Sequence, residues 1–475
     1  MNYKYGKLFF LGFPGGIDDE ALNIILKYKP AGIILYPGNM NSIEELQISM
    51  DKLYSLNIPL LISSDHEGGQ LETVPGILSS PGNYAIGKTN EPNIAYKYAF
   101  YLGKKLKEFG FNMVFSPVLD VLHKDSSAVT GFRIFSDSPE KVSIFGTQYI
   151  KGLNDAGILS TAKHFPGHGK ATHDSHEETP VIDNFSFNDY DLLPFENAIK
   201  NGVEMIMTAH IIYKNLDEDL GTVSKIILND LLRKKLNYNG LIISDAIEMK
   251  AFYNNYFPDK GVELFFNNGG DILMIAEAKK NFKPIYTSFI NLIENKKIDT
   301  ESINLKIKKI NEIQKKYFNE NYEGKFLTDI AKKSLKINIK KDFHINLDTD
   351  KVSIVIPEPK NLSQADTTAK DLEKLESLLN LEFKNTNIFK YNPLNGETYS
   401  ELPKNSKVIS FVLDSFRFPE QYKLHKKIKS LNKDIIYVII RNDQDETLYK
   451  DESYIITHST KLISIYNAIK AIKKL

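Results

Sequence analysis

The chain has 475 residues, which suggests two or three domains at about 150 residues each, although a single α/β barrel can take about 250. With 60 Lys+Arg against 60 Asp+Glu it carries no formal net charge, so it lacks the electrostatic footprint of a nucleic-acid binder. It contains no cysteine, which excludes disulfides, thiolate nucleophiles, iron–sulfur clusters and cysteine zinc sites, and any metal would need His or carboxylate ligands.

The first apolar run, residues 8–13, is too short for a signal-peptide core and ends in a Gly/Pro turn, so it reads as a strand. No run approaches the roughly 18 apolar residues of a membrane helix, so a cytoplasmic protein with no membrane partner is expected. Eight short β-type runs follow one another along the chain, at residues 7–13, 32–36, 60–65, 112–117, 159–164, 205–210, 241–245 and 272–275. Helix-like stretches separate them, among them 42–56, 92–109, 139–156 and 225–236, several opening at Ser or Pro as a helix start should. Eight strand–helix repeats predict an α/β fold of the (β/α)8 barrel type over residues 1–320.

A lysine-rich stretch after Lys306 reads as the last helix and then a linker over 321–350. From Val352 the alternation resumes with VSIVIP, VISFVLD, IIYVII and YIITHS between helical segments, which predicts a smaller open α/β sandwich over 351–475. That unit has no Gly-rich phosphate loop, so nucleotide binding there is unsupported and a packing or oligomerising role is expected.

Chemistry-bearing residues gather where the barrel strands end: Asp65, Asp120, Lys163, His164, His210 and Asp245. Four of the 10 histidines, His164, His168, His173 and His176, fall in KHFPGHGKATHDSH, where Pro166, Gly167 and Gly169 prevent a helix and leave a strand end passing into an ordered loop. Two readings compete. His164, His168, His173 and Asp174 could bind zinc or iron through imidazole and carboxylate. Alternatively Asp174 and His176 form a dyad in which the carboxylate orients an imidazole able to exchange protons near neutrality. Asp245, at the end of LIISDAIE, would then supply a carboxylate at the rim, and Asp65 in SDHEGG could grip sugar hydroxyls beside two glycines that allow close approach. Arg133, one of only four arginines, suits a planar polar group of a substrate, whereas Arg233 reads as an ordinary helix-surface residue.

Taken together, SDHEGG, SPVLDV, GFRIFSDSP, KHFPGHG with HDSHEETP, MTAHIIY, VSKIILNDLLR and ISDAIEMK resemble family 3 glycoside hydrolases, and more narrowly their bacterial β-N-acetylglucosaminidases, over roughly residues 5–280. The resemblance implies a retaining exo-β-N-acetylglucosaminidase with no cofactor, acting on a small sugar substrate from cell-wall fragments. It implies that Asp245 is the nucleophile, that His176 paired with Asp174 is the acid/base, and that Asp65, Arg133, Lys163 and His164 bind the sugar. It also implies that Gln70 and Thr73 stand where the family usually shows arginine shortly after the double glycine, which leaves exact sugar preference open. The alternatives are another family 3 glycosidase or a phosphorylase, a metal-dependent barrel hydrolase, or a non-catalytic sugar-binding relative.

Overall fold

The computed structural model describes residues 3–127, 131–171, 179–320, 322–347, 349–363, 366–383, 386–432 and 434–475. The chain divides into two compact units, one ending at Glu323 and the other spanning Gly324–Leu475.

In the first unit all eight expected strands form, seven of them with shorter bounds and β5 one residue longer: β1 Phe9–Gly12, β2 Gly32–Ile34, β3 Leu61–Ser63, β4 Met113–Val114, β5 Leu159–Phe165, β6 Met205–Thr208, β7 Leu241–Ile243 and β8 Leu273–Ile275. The first begins later than expected because Tyr3–Leu8 coils into a 3-10 helix. Two parallel sheets, in the orders β8-β1-β2-β3 and β4-β5-β6-β7, share these strands. They join at both edges. The Phe115 amide donates to the Ser64 carbonyl at 3.2 Å between β3 and β4, and a parallel bridge pairs Ile243 with Ile272 between β7 and β8. The result is a closed eight-stranded barrel. Every residue of these strands is buried, as expected of parallel strands covered on both faces, and this is why most of them read as apolar runs rather than alternating ones; β5, LSTAKHF, buries polar residues instead. Gly32 has a steric role here: a Cβ would sit 2.3 Å from the Phe10 ring, which packs against Phe115 at 5.3 Å between centroids. The helices start where their caps predict. Ser42 accepts from the Glu45 amide ahead of Ile43–Ser55, and Ser138 from the Lys141 amide ahead of Pro139–Asp155.

The second unit is a six-stranded sheet comprising β9 Lys336–Asn338, β10 Val352–Pro357, β11 Asn387–Tyr391, β12 Lys407–Val412, β13 Ile435–Ile439 and β14 Ser453–Ile456, in the order β9-β14-β13-β12-β10-β11. Only β9 runs antiparallel. The stretch 321–350 is therefore not a plain linker: it carries the helix Lys325–Lys333 and the strand β9, which pairs with β14 from Lys336↔Ile456 to Asn338↔Tyr454. Its lysines hid both, since β9 is an exposed edge strand and needs no apolar run. No helix among the described residues is long and apolar enough to cross a membrane.

Candidate active site

The carboxyl ends of the barrel strands bring together five of the expected site residues, Asp65, Arg133, Lys163, His164 and Asp245. Consecutive Lys163 and His164 would point to opposite faces of a regular strand, but the pairing of β5 with β6 shifts register between Ala162 and Phe165. Both side chains consequently meet carboxylates of this end. Lys163 Nζ lies 2.8 Å from Asp65 Oδ1 and 2.7 Å from Glu67 Oε1, while His164 Nδ1 lies 2.7 Å from Asp120 Oδ2.

Asp65 and Glu67 follow β3. The two glycines after them have φ of +86° and +62°, which an L side chain rarely adopts, and a Cβ on Gly69 would come within 2.4 Å of Gly82 Cα. The Gly-Gly pair thus folds the loop tightly enough to turn Glu67 inward. There Arg133 makes a bidentate pair with it, Nε to Oε2 and Nη2 to Oε1, both at 2.8 Å. Burial alone would raise the Glu67 pKa, but the Arg133 and Lys163 charges hold it far below the usual carboxylate range. The same logic keeps Lys163 protonated: burial lowers its pKa, Asp65 and Glu67 raise it, and the carboxylates win.

Asp120, fully buried, accepts the backbone N–H groups of His164 and His168 on Oδ1, at 3.2 and 2.7 Å, beside its bond to the His164 ring. One carboxylate therefore fixes the start of the histidine-rich loop and the orientation of the His164 ring. Asp245, half-buried after β7, accepts its neighbour Ala246 N–H at 2.7 Å. Burial favours its protonated form, yet the facing His164, His210 and Lys163, with that backbone donor, bring its pKa below the ordinary value. It is an anion at neutral pH. His210 is set by Thr222 Oγ1 at 2.7 Å and the Ala246 carbonyl at 3.0 Å, so it braces the backbone that carries Asp245. Tyr36, after β2, faces Asp65, Glu248 and Asp245; burial first, then those charges, keep its hydroxyl protonated.

The expected acid/base pair His176 and Asp174 lies outside the described residues, as does His173, and of the proposed metal ligands only His164 and His168 are placed. Among the described residues no group of three His, Asp or Glu side chains is arranged to hold a metal ion. Gln70 accepts the Phe132 amide at 3.2 Å and so supports the loop bearing Arg133. Thr73 bonds Ser64 Oγ at 2.7 Å, its hydroxyl turned back onto β3. Arg233 differs from expectation: it donates to the Tyr238, Gly240 and Gly269 carbonyls and pairs with the buried Asp271, at the opposite end of the barrel. The residues that sequence reasoning passed over are Glu67 and Tyr36. Glu67 stood inside a quoted motif and could have been found by asking what neutralises two buried cations; Tyr36 carried no signal.

The sequence model described as the glycosyl hydrolase family 3 N-terminal domain matches residues 2–313, and one described as the C-terminal domain of β-N-acetylglucosaminidase matches 350–472. A β-hexosaminidase A of Pseudoalteromonas piscicida is 31% identical over 332 residues, covering 63% of this chain and 56% of its own length, so the chain spans little more than half of that relative. A β-hexosaminidase of Haemophilus influenzae is 31% identical over 59% of this chain and 81% of its own. Among solved structures, the β-N-acetylglucosaminidase from Thermotoga maritima superposes with a TM-score of 0.85 at 33% identity, over 98% of this chain and 99% of that one. The zinc-bound CbsA from Thermotoga neapolitana gives 0.86 at 31%, over 99% of both.

Proposed function

The chain belongs to glycosyl hydrolase family 3, and from that membership we propose that it is a retaining exo-β-N-acetylglucosaminidase working through a glycosyl-aspartate. The observation that carries the reading is Asp245: a carboxylate kept anionic at the carboxyl end of β7, across from the Asp65–Lys163 pair and His164. A retaining glycosidase needs a nucleophile on one face of the anomeric carbon and a proton donor on the other. In this reading Asp65, Arg133, Lys163 and His164 hold the terminal sugar. An Asp245 oxygen bonds to the anomeric carbon as the bond to the leaving oxygen breaks, and His176, oriented by Asp174, gives that oxygen its proton. Neutral His176 then takes a proton from water, whose oxygen displaces Asp245 and restores the original configuration.

The relatives named β-hexosaminidase support an N-acetylated substrate, and peptidoglycan fragments met in the cytoplasm are the proposed source. An imidazole base repels anions less than a carboxylate would, so phosphorolysis is the variant of this chemistry to check; N-acetylglucosamine 1-phosphate formed in phosphate buffer would identify it.

The test is covalent trapping. A fluorinated N-acetylglucosaminide with a good leaving group should label the peptide containing Asp245, and a label elsewhere, or none during turnover, refutes the assignment. His176→Ala should slow a disaccharide far more than an activated aryl glycoside, with azide restoring the latter. The zinc in one similar structure keeps a metal-dependent reading in view. Full activity after exhaustive chelation supports the glycosidase, whereas loss reversed by zinc supports a metal site built on His164, His168, His173 and Asp174.

A further inference from the structure

Glu67, like Asp120, accepts three hydrogen bonds through its side chain and has no exposed surface, but its donors are two cations. Its Oε1 takes both Arg133 Nη2 and Lys163 Nζ, and its Oε2 takes Arg133 Nε. It reaches no solvent and no open space. Asp65 differs: Lys163 occupies one oxygen, the other has no hydrogen-bond partner among the described residues, and its side chain is 29% exposed. Lys163 in turn uses two of its three N–H donors on these two carboxylates. Two cations and two anions cancel, but they are not equivalent: Glu67 is the anion spent wholly on the protein, and Asp65 the one left open.

We propose that Glu67 is a positioning residue for sugar recognition, which holds Arg133 and Lys163 apart in fixed directions so that Asp65 stays free to accept sugar hydroxyls. A buried ion cluster is a poor device for stability, because each charge is desolvated and apolar side chains of the same volume would serve as well. It is a good device for presenting a donor and an acceptor side by side, since charge-assisted bonds are directional and an adjacent pair of hydroxyls needs both. Without Glu67, Lys163 would keep Asp65 as its carboxylate, and Arg133, whose charge Asp65 already feels, would be drawn to it and close it to substrate. The inference rests on the proposed sugar-binding function of this site.

The experiment compares the full chain with Glu67→Gln, Glu67→Asp, Arg133→Met and the double variant Glu67→Gln/Arg133→Met. Affinity for N-acetylglucosamine is read by calorimetry, and KM and kcat with an aryl-β-N-acetylglucosaminide. Glu67→Gln should weaken sugar affinity and raise KM by about 10- to 100-fold, with kcat falling less. Glu67→Asp, which keeps the charge on a shorter arm, should recover part of that loss. The double variant should lose less than the product of the single losses, because the pair acts as one unit. A folded Glu67→Asp with unaltered affinity and KM overturns the proposal, even if Glu67→Gln cannot be obtained folded, and so does strict multiplicativity in the double variant. An unsubstituted protein that neither binds N-acetylglucosamine nor turns over the aryl glycoside refutes the proposed function, whereas parent binding with equal binding by the Glu67 variants refutes this inference alone.

Discussion

The two ends of the barrel are built from the same strands but to opposite purposes. At the amino ends a cavity of about 660 Å³ opens among Tyr54, Lys107, Phe111, Glu204, Tyr317 and Tyr322. The polar groups around that end are spent on backbone: Gln314 donates to the Ala31 and Pro59 carbonyls and accepts from Lys7, and Arg233 ties three carbonyls to Asp271. At the carboxyl ends the polar groups bind one another, and the arrangement leaves Asp65 and Asp245 partly exposed. A cavity by itself is therefore no guide to function here. What marks the active end is charge held in place with an oxygen still available, and what marks the structural end is charge consumed by the chain itself.

That contrast is testable by substitution at each end. The largest effect is expected at Asp245: Asp245→Asn should lower kcat by about 10³-fold or more while leaving the thermal midpoint nearly unchanged, measured by aryl glycoside turnover and circular dichroism. A modest rate loss would remove the distinction between the ends. Arg233→Met should do the reverse. It leaves buried Asp271 with the Ile242 amide at 2.8 Å and, as a cation, Lys306 at 3.7 Å, so urea denaturation should show a loss of about 2–4 kcal/mol, while the folded fraction keeps its KM and kcat within twofold. Altered kinetics in the folded fraction would show that the amino end communicates with the site.

The second unit sharpens the comparison through a buried carboxyl with no catalytic partner. Asp445 accepts the Phe416 amide at 2.6 Å, and burial pushes its pKa up to about 7, helped by Asp414. The folded unit thus holds a proton that the unfolded chain releases near pH 4, so this group's contribution is present at low pH and fades as pH rises toward 7. Asp445→Asn should remove that dependence, changing the stability difference between pH 5 and pH 8 by about 2 kcal/mol relative to the parent, read by pH-corrected hydrogen exchange at Phe411 and Val438. An identical pH dependence in both proteins would show that Asp445 ionises normally. The smallest effect is expected at the cavity rim: Glu204→Gln, which loses the ion pair with Lys316, 57% exposed, but can still accept the Tyr317 hydroxyl, should change stability by less than about 1 kcal/mol and leave turnover alone. A change in turnover would make the cavity a second functional site.

The sequence by itself determined the barrel, because parallel strands buried on both faces are short and mostly apolar, and eight β-type runs recur at helix-length spacing. It also determined which residue types stand at the strand ends, and the motifs that hold Asp65, Arg133, Lys163, His164 and Asp245. It did not reveal the strand inside 321–350, since an edge strand of KIN makes no apolar pattern of its own and depends on pairing with β14, and the helix before it, whose apolar Phe326, Leu327, Ile330 and Ala331 are spaced for one face, was passed over among its lysines. Nor could it show that Arg233 is a clamp rather than a surface residue, because its four partners come from two separate stretches of chain, 238–240 and 269–271. The division of labour between Glu67 and Asp65, two residues apart in one motif, was decided by tertiary structure alone. Only when the Gly68–Gly69 turn closes against Gly82 does one carboxylate go inward to two cations and the other stay at the surface. Long-range charge pairing has no period in a sequence, and it is read only when the strands that carry it are brought side by side.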